Sequence, residues 1–193
     1  LARVAVLARG GTLDDPDNYL PLARSLACGH GFVFKGKPTA YRPPLYPLIL
    51  APVVVVSGQR LGCCIAGLHV LIGAGTVLMT AATARRWGLS LGRALIAAAV
   101  VACDPVLVAQ SRAVMTETLG AFLVAFTLWA LTHPGPRGML LGGLGFGLSA
   151  LCRPSLLPGA AFVAAVYVFA RRDRDDAFST PTLAEGAMQE GSE

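Results

Sequence analysis

The chain has 193 residues and a formal net charge of +5, with 14% charged against 54% hydrophobic residues. Soluble domains carry roughly a quarter charged residues, because their surfaces must be hydrated, so this composition excludes an ordinary water-soluble globule and points to lipid as the solvent. The basic balance does not read as nucleic-acid binding, because Arg85-Arg86, Arg93, Arg137 and Arg171-Arg172 with Arg174 sit at the ends of apolar runs rather than in one basic stripe.

Residues 1–8 read as the end of a truncated first span, too short for a signal peptide, and the Leu1 start reads as that of a fragment or mis-started product. Residues 9–58 form an external loop and an interfacial segment. Within them Asp14, Asp15 and Asp17 surround Pro16, just ahead of Tyr19-Leu20, Leu22-Ala23 and Leu26. Aspartates and a proline at this place predict a short helix, since carboxylates favour the amide-rich end of the helix dipole. Gly29-His30-Gly31 closes it. Lys35-Gly36-Lys37-Pro38 predicts a turn leading into Tyr41-Arg42-Pro43-Pro44. Residues 45–56 are apolar but interrupted by Pro47 and Pro52. As a helix they reach roughly 18 Å, short of a hydrocarbon core of about 30 Å, which predicts an interfacial segment that does not cross.

Residues 59–172 read as the transmembrane region. A full span over 63–84 ends at Arg85-Arg86, and 94–110 returns with Asp104-Pro105 near its far end. The next, 118–132, starts at Met115-Thr116-Glu117 and stops at His133-Pro134-Gly135. Two shorter runs, 138–151 and 156–170, make a hairpin broken at Cys152-Arg153-Pro154. Residues 173–193 are polar and predict a disordered tail. The expected fold is therefore all-α: a polytopic transmembrane bundle with an external loop carrying short interfacial helices. With Arg85-Arg86 in the cytoplasm, Arg137 and Arg171-Arg172-Arg174 follow them, while the early aspartates, Arg42, Glu117 and Arg153 fall outside.

The five cysteines, Cys28, Cys63, Cys64, Cys103 and Cys152, form no C-x-x-C pair, and most lie in apolar runs, where they read as small packed hydrophobes. Gly73-Ala74-Gly75 and Gly143-Leu144-Gly145 follow no soluble strand, so helix packing explains them better than nucleotide binding. His69 is isolated in a span, and no ligand spacing links it to His30 or His133.

Several motifs together resemble a family. Asp15-Pro16-Asp17-Asn18-Tyr19 with Leu22-Ala23-Arg24 is similar to the D-x-x-x-Y-x-x-x-A-R start of a first external loop in GT-C membrane glycosyltransferases. The branch is that of protein O-mannosyltransferases and lipid A aminoarabinose transferases (glycosyltransferase family 39-like). Gly31-Phe32, Pro38-Thr39 and Tyr41-Arg42-Pro43-Pro44-Leu45 resemble that family's segment before its second span. Asp104-Pro105, Ser111-Arg112 and Thr116-Glu117 resemble its second external loop, and Cys152-Arg153-Pro154 a later one. Each motif is weak alone; their order and spacing over residues 10 to 170 is the more specific signal.

The resemblance implies the N-terminal part of an enzyme that moves a sugar from a polyprenyl-phosphate carrier to an acceptor hydroxyl, with inversion, on the outer face of the plasma (inner) membrane. By match to the motif, Asp15 is the general base, with Asp14 and Asp17 its neighbours; a carboxylate ionised at neutral pH suits that task. The same residues also cap helices. Arg42, after Tyr41, would bind the carrier's phosphate, since a guanidinium offers paired hydrogen bonds to a leaving phosphate; an interfacial anchor is its plainer reading. Glu117 would orient acceptor or base, with Arg112 as candidate partner, and Arg153 would join the carrier site. Because tyrosine rather than glutamate precedes Arg42, the glutamate-based metal site of aminoarabinose transferases is not matched; no cofactor is implied and a divalent metal stays open. Two other classes compete: a transporter fragment, which would place its charges at mid-membrane, and a non-catalytic membrane scaffold.

Overall fold

The computed structural model describes residues 14–110, 113–159, 161–166 and 169. The expected first-span remnant, the polar tail and Arg112 lie outside them. The chain divides into two compact units, residues 1–155 and 156–193. In the second, residues 161–166 are helical. Everything below concerns the first.

That unit is helical apart from one small hairpin. α1 is Tyr19–Ala27, β1 Val33–Phe34 and β2 Lys37–Pro38. α2 is Leu45–Ser57, followed by a 3-10 turn at Gly58–Arg60, and α3 is Leu61–Arg86. α4 is Leu91–Ala102, α5 Pro105–Gln110, α6 Glu117–Leu131 and α7 Pro136–Cys152. The β1–β2 turn is the one expected at Lys35-Gly36, where both residues have positive φ (51° and 77°), the twist that matches a two-residue antiparallel hairpin. The short strands flanking it were not expected.

α2 runs unbroken through both of its prolines. Pro47 lies in the first turn, where backbone N–H groups have no helical partner to lose, and Pro52 sits inside the helix. Together, residues Leu45–Arg86 make a 42-residue apolar stretch, only 22% buried in its most apolar window. It is not one rod. Gly58 has φ 48° and ψ −123°, and Tyr46 Oη lies 2.7 Å from His69 Nε2. Residues 23 positions apart on a straight helix would stand about 35 Å apart, so α2 folds back along the start of α3. α3 itself has 26 residues, about 39 Å, long enough for a hydrocarbon core of about 30 Å.

Among the described residues no other helix reaches that length with that apolarity; α4 and α6 are apolar but shorter. The expected return span over 94–110 is divided at Cys103-Asp104, where Asp104 Oδ1 accepts the Leu107 amide and starts α5. A carboxylate that caps a new helix stops the old one.

Helices α3 and α6 run parallel: Gly75 meets Phe122 and, further on, Arg86 reaches the Thr132 carbonyl. α7 returns antiparallel along α6, with Gly138, Gly142, Gly145, Ser149 and Cys152 on its buried face. A methyl group on Gly142 would stand 2.5 Å from Leu131, so this crossing depends on small residues, as close helix pairs in lipid do. Thr76 and Thr127 return their hydroxyl hydrogens to carbonyls one turn back, which satisfies those two donors inside apolar helices. The core lies at one end of the bundle, where Tyr19, Tyr46, Leu50, Ile65, Val114, Leu119 and Cys152 meet.

Candidate functional site

The residues singled out in the sequence gather around that core. Asp15 precedes α1, and its two carboxylate oxygens accept the Tyr19 and Leu20 amides, each at 2.9 Å. These are orphan donors of the first turn, so Asp15 caps the helix it was expected to begin. Asp14 is exposed, and its carbonyl accepts the Val114 amide at 2.7 Å beside an isolated parallel bridge to Ala113. The loop before α1 is thereby joined to the loop before α6.

Asp17 binds Arg42 twice. Arg42 Nη2 is 2.6 Å from Asp17 Oδ1, and Nε donates to the Asp17 carbonyl at 3.0 Å. Both side chains are about a quarter exposed, so the pair keeps access to solvent. The guanidinium carbon also stands 4.5 Å from the Tyr41 ring centroid and 5.6 Å from that of Tyr19, distances at which an aromatic face attracts a cation. Tyr41, largely exposed, thus covers one side of Arg42, and Pro43-Pro44 join that arginine to the start of α2.

Glu117 opens α6, and Arg153 follows the last residue of α7. Their side chains meet at 2.7 Å, Nη1 to Oε1, and Arg153 Nε donates to Ser155 Oγ. Arg112, the candidate partner of Glu117 in the sequence, lies outside the described residues; the structure pairs Glu117 with Arg153, 36 positions away, because antiparallel packing returns the end of α7 to the start of α6. The other oxygen, Oε2, is buried without a hydrogen-bond partner among the described residues, as is Thr118 Oγ1. An unpaired buried carboxylate oxygen is costly unless a ligand or water meets it.

Tyrosines connect the two halves. The Tyr19 side chain bonds that of Thr116, and burial together with the Asp17 carboxylate raises the Tyr19 phenol above its ordinary range. Tyr46 packs edge-on against Tyr19, with ring centroids 5.2 Å apart, and bonds His69 behind it. The Cys152 thiol approaches the Thr116 carbonyl at 3.8 Å. Sequence reading missed Tyr46 and His69. An isolated histidine in an apolar run carries a signal only when its partner is known, and here the partner lies across a helical hairpin.

The arrangement therefore presents, at one end of the bundle, a fixed carboxylate, two partly exposed arginines each held by an acid, and a half-buried glutamate. Among the described residues no three His, Cys, Asp or Glu side chains are grouped to hold a metal ion. That end can accept a proton, meet an anion and bind hydroxyl groups.

Residues 55–150 match the family model described as dolichyl-phosphate-mannose-protein mannosyltransferase. No curated protein and no solved structure matches the chain. The matched segment covers Arg112 and Glu117; Asp14, Asp15, Asp17, Tyr41, Arg42 and Arg153 lie outside it.

Proposed function

We propose that this chain, whose residues 55–150 match the dolichyl-phosphate-mannose-protein mannosyltransferase family model, belongs to that family and transfers a mannose-like sugar from a polyprenyl-phosphate carrier to a protein hydroxyl. The family is one of integral membrane glycosyltransferases. The donor, the outer-face acceptor, the multi-pass arrangement and the roles of individual residues are our reading. The observation that carries it is the joining of the Asp14–Tyr19 loop to the Val114–Glu117 segment, which puts Asp15, Arg42, Glu117 and Arg153 around one core.

In this reading the acceptor hydroxyl attacks the anomeric carbon while the bond from that carbon to the phosphate oxygen breaks. Asp15 takes the hydroxyl proton. Each of its oxygens accepts one backbone N–H, which leaves lone pairs for a second partner and fixes the carboxylate before substrate arrives. Asp17 is the residue that aims Arg42: it holds two of the guanidinium's nitrogens, leaving Nη1 for a phosphate oxygen. The leaving phosphate gains charge as the bond breaks, and a preoriented cation stabilises that charge without reorganising. Glu117 Oε2 offers an acceptor position for a sugar or acceptor hydroxyl, with Arg153 holding the carboxylate from its other oxygen. Asp14 contributes negative charge at the rim. Charged groups at helix ends fit an interfacial transferase better than a transporter, whose ionisable groups line the middle of the membrane.

The test is sugar transfer by the chain in proteoliposomes, from a radiolabelled polyprenyl-phosphate mannose to an acceptor peptide rich in serine and threonine. Asp15→Asn is expected to lower transfer at least about a hundredfold, the usual range for losing a general base, while expression is unchanged. Transfer equal to the parent chain would remove Asp15 from the role of base.

A further inference from the structure

His69 has no part in the transfer step, yet it is 1% exposed near the start of the apolar helix α3. An ionisable group in such a helix is costly to bury and persists where a partner or a function holds it. One partner is Tyr46, itself fully buried, at 2.7 Å, with the two rings stacked at a centroid distance of 6.1 Å. Tyr46 in turn lies edge-on against Tyr19. Tyr19 donates its amide to Asp15, and its side chain bonds that of Thr116, next to Glu117. One chain of contacts therefore passes from α3 through α2 and α1 to the start of α6, touching the segments that carry Asp15 and Glu117. Tyr46 also stands four positions after Arg42, across two prolines whose fixed φ carries a displacement along rather than absorbing it.

We infer that His69 is a positioning residue: through its bond to Tyr46 it holds the Asp15 loop and the Tyr41–Arg42 segment in register with Thr116 and Glu117. The inference rests on the reading of this end as the transfer site, but its physical content, the docking of the loop, does not depend on transfer. Phenylalanine at Tyr46 keeps the packing and removes the hydroxyl. Glutamine at His69 keeps a nitrogen where Nε2 now stands; alanine removes it and leaves the Tyr46 hydroxyl buried without a partner.

The experiment measures two quantities for the parent chain, His69→Ala, His69→Gln and Tyr46→Phe in proteoliposomes. One is hydrogen exchange in the peptides containing the Tyr19, Leu20 and Val114 amides, which dock the loop. The other is KM for polyprenyl-phosphate mannose against kcat. His69→Ala and Tyr46→Phe should each raise exchange at those amides and raise KM about tenfold, the change expected for one lost bond of about 1.4 kcal/mol. His69→Gln should restore both to within about threefold of the parent, roughly half that free energy. Unchanged exchange in both His69→Ala and Tyr46→Phe overturns the inference. So does a loss that glutamine fails to rescue, which would mark His69 as packing only. If the parent chain transfers no sugar, the transfer reading fails, and the exchange data still decide the role of His69.

Discussion

Asp15 holds two amides with one carboxylate, and that geometry separates its two candidate roles. Asparagine keeps one accepting oxygen but turns an NH2 toward the second amide, whereas alanine loses both bonds, a cost of roughly 1 kcal/mol or more. Asp15→Ala should therefore lower stability in detergent by about that amount and Asp15→Asn by less, with thermal unfolding as the measure; both should lose sugar transfer. Both readings of Asp15 were visible in the sequence, because one residue type serves both. The Arg153 partnership was not visible. Glu117 and Arg112 are five positions apart and invite pairing on paper, while Glu117 and Arg153 meet only because two helices return to the same end. Tyr19 adds a pH dependence. Its phenol is raised above the ordinary value of 10.0 by burial first and by Asp17 second. The folded state thus favours the protonated phenol, so this contribution is complete below about pH 10 and declines as pH rises through the folded value. Tyr19→Phe should flatten the alkaline limb of a stability-versus-pH curve.

At the scale of elements, hydrophobic runs marked the helices well, and the breaks between them less well. α6 and α7 fall within two residues of their expected limits, since proline, glycine and a change to polar residues bound both. The proline-interrupted run over 45–56 forms a continuous helix, because one proline occupies a first turn and a single interior proline is outweighed by its apolar surroundings. The fold-back at Gly58 was not legible: a glycine in a polar Ser-Gly-Gln-Arg step marks a turn, but says nothing of how far the chain reverses. At Gly58 the backbone lies where side chains with a Cβ are strained. Gly58→Ala should cost about 1–3 kcal/mol and loosen α2 from α3, seen as a lower unfolding temperature and faster exchange at α2 amides. On the other face of the bundle, Gly142→Val would drive a side chain into Leu131. Overpacking of this kind costs about 1–3 kcal/mol, and Gly143→Val, where a Cβ meets nothing within 4 Å, should cost much less.

Across the whole unit the acids are sorted and the bases are not. Arg85, Arg86, Arg93 and Arg137 lie where α3 and α6 end and α4 and α7 begin. The acids among the described residues, Asp14, Asp15, Asp17, Asp104 and Glu117, lie at the opposite ends of the helices, together with Arg24, Lys35, Lys37, Arg42, Arg60 and Arg153. α3 connects the two over a length that fits a bilayer core. The grouping of the acids was legible because it depends only on the order of helices and loops. The gathering of Asp15, Arg42 and Glu117 about Tyr19 and Tyr46 was foreshadowed by motif order alone; contacts between residues far apart in the chain have no local signature.

The account stands on those acids, with Arg42 and Arg153, facing one side of the membrane, opposite the end that carries Arg85, Arg86, Arg93 and Arg137. In a chain whose five native cysteines are replaced by alanine, single cysteines at Lys35, Ser155, Ser90 and Arg137 can be labelled with an impermeant maleimide in sealed, right-side-out vesicles. The account predicts that Lys35→Cys and Ser155→Cys react at once, and that Ser90→Cys and Arg137→Cys react only after permeabilisation. Labelling that divides Lys35 from Ser155 would contradict it.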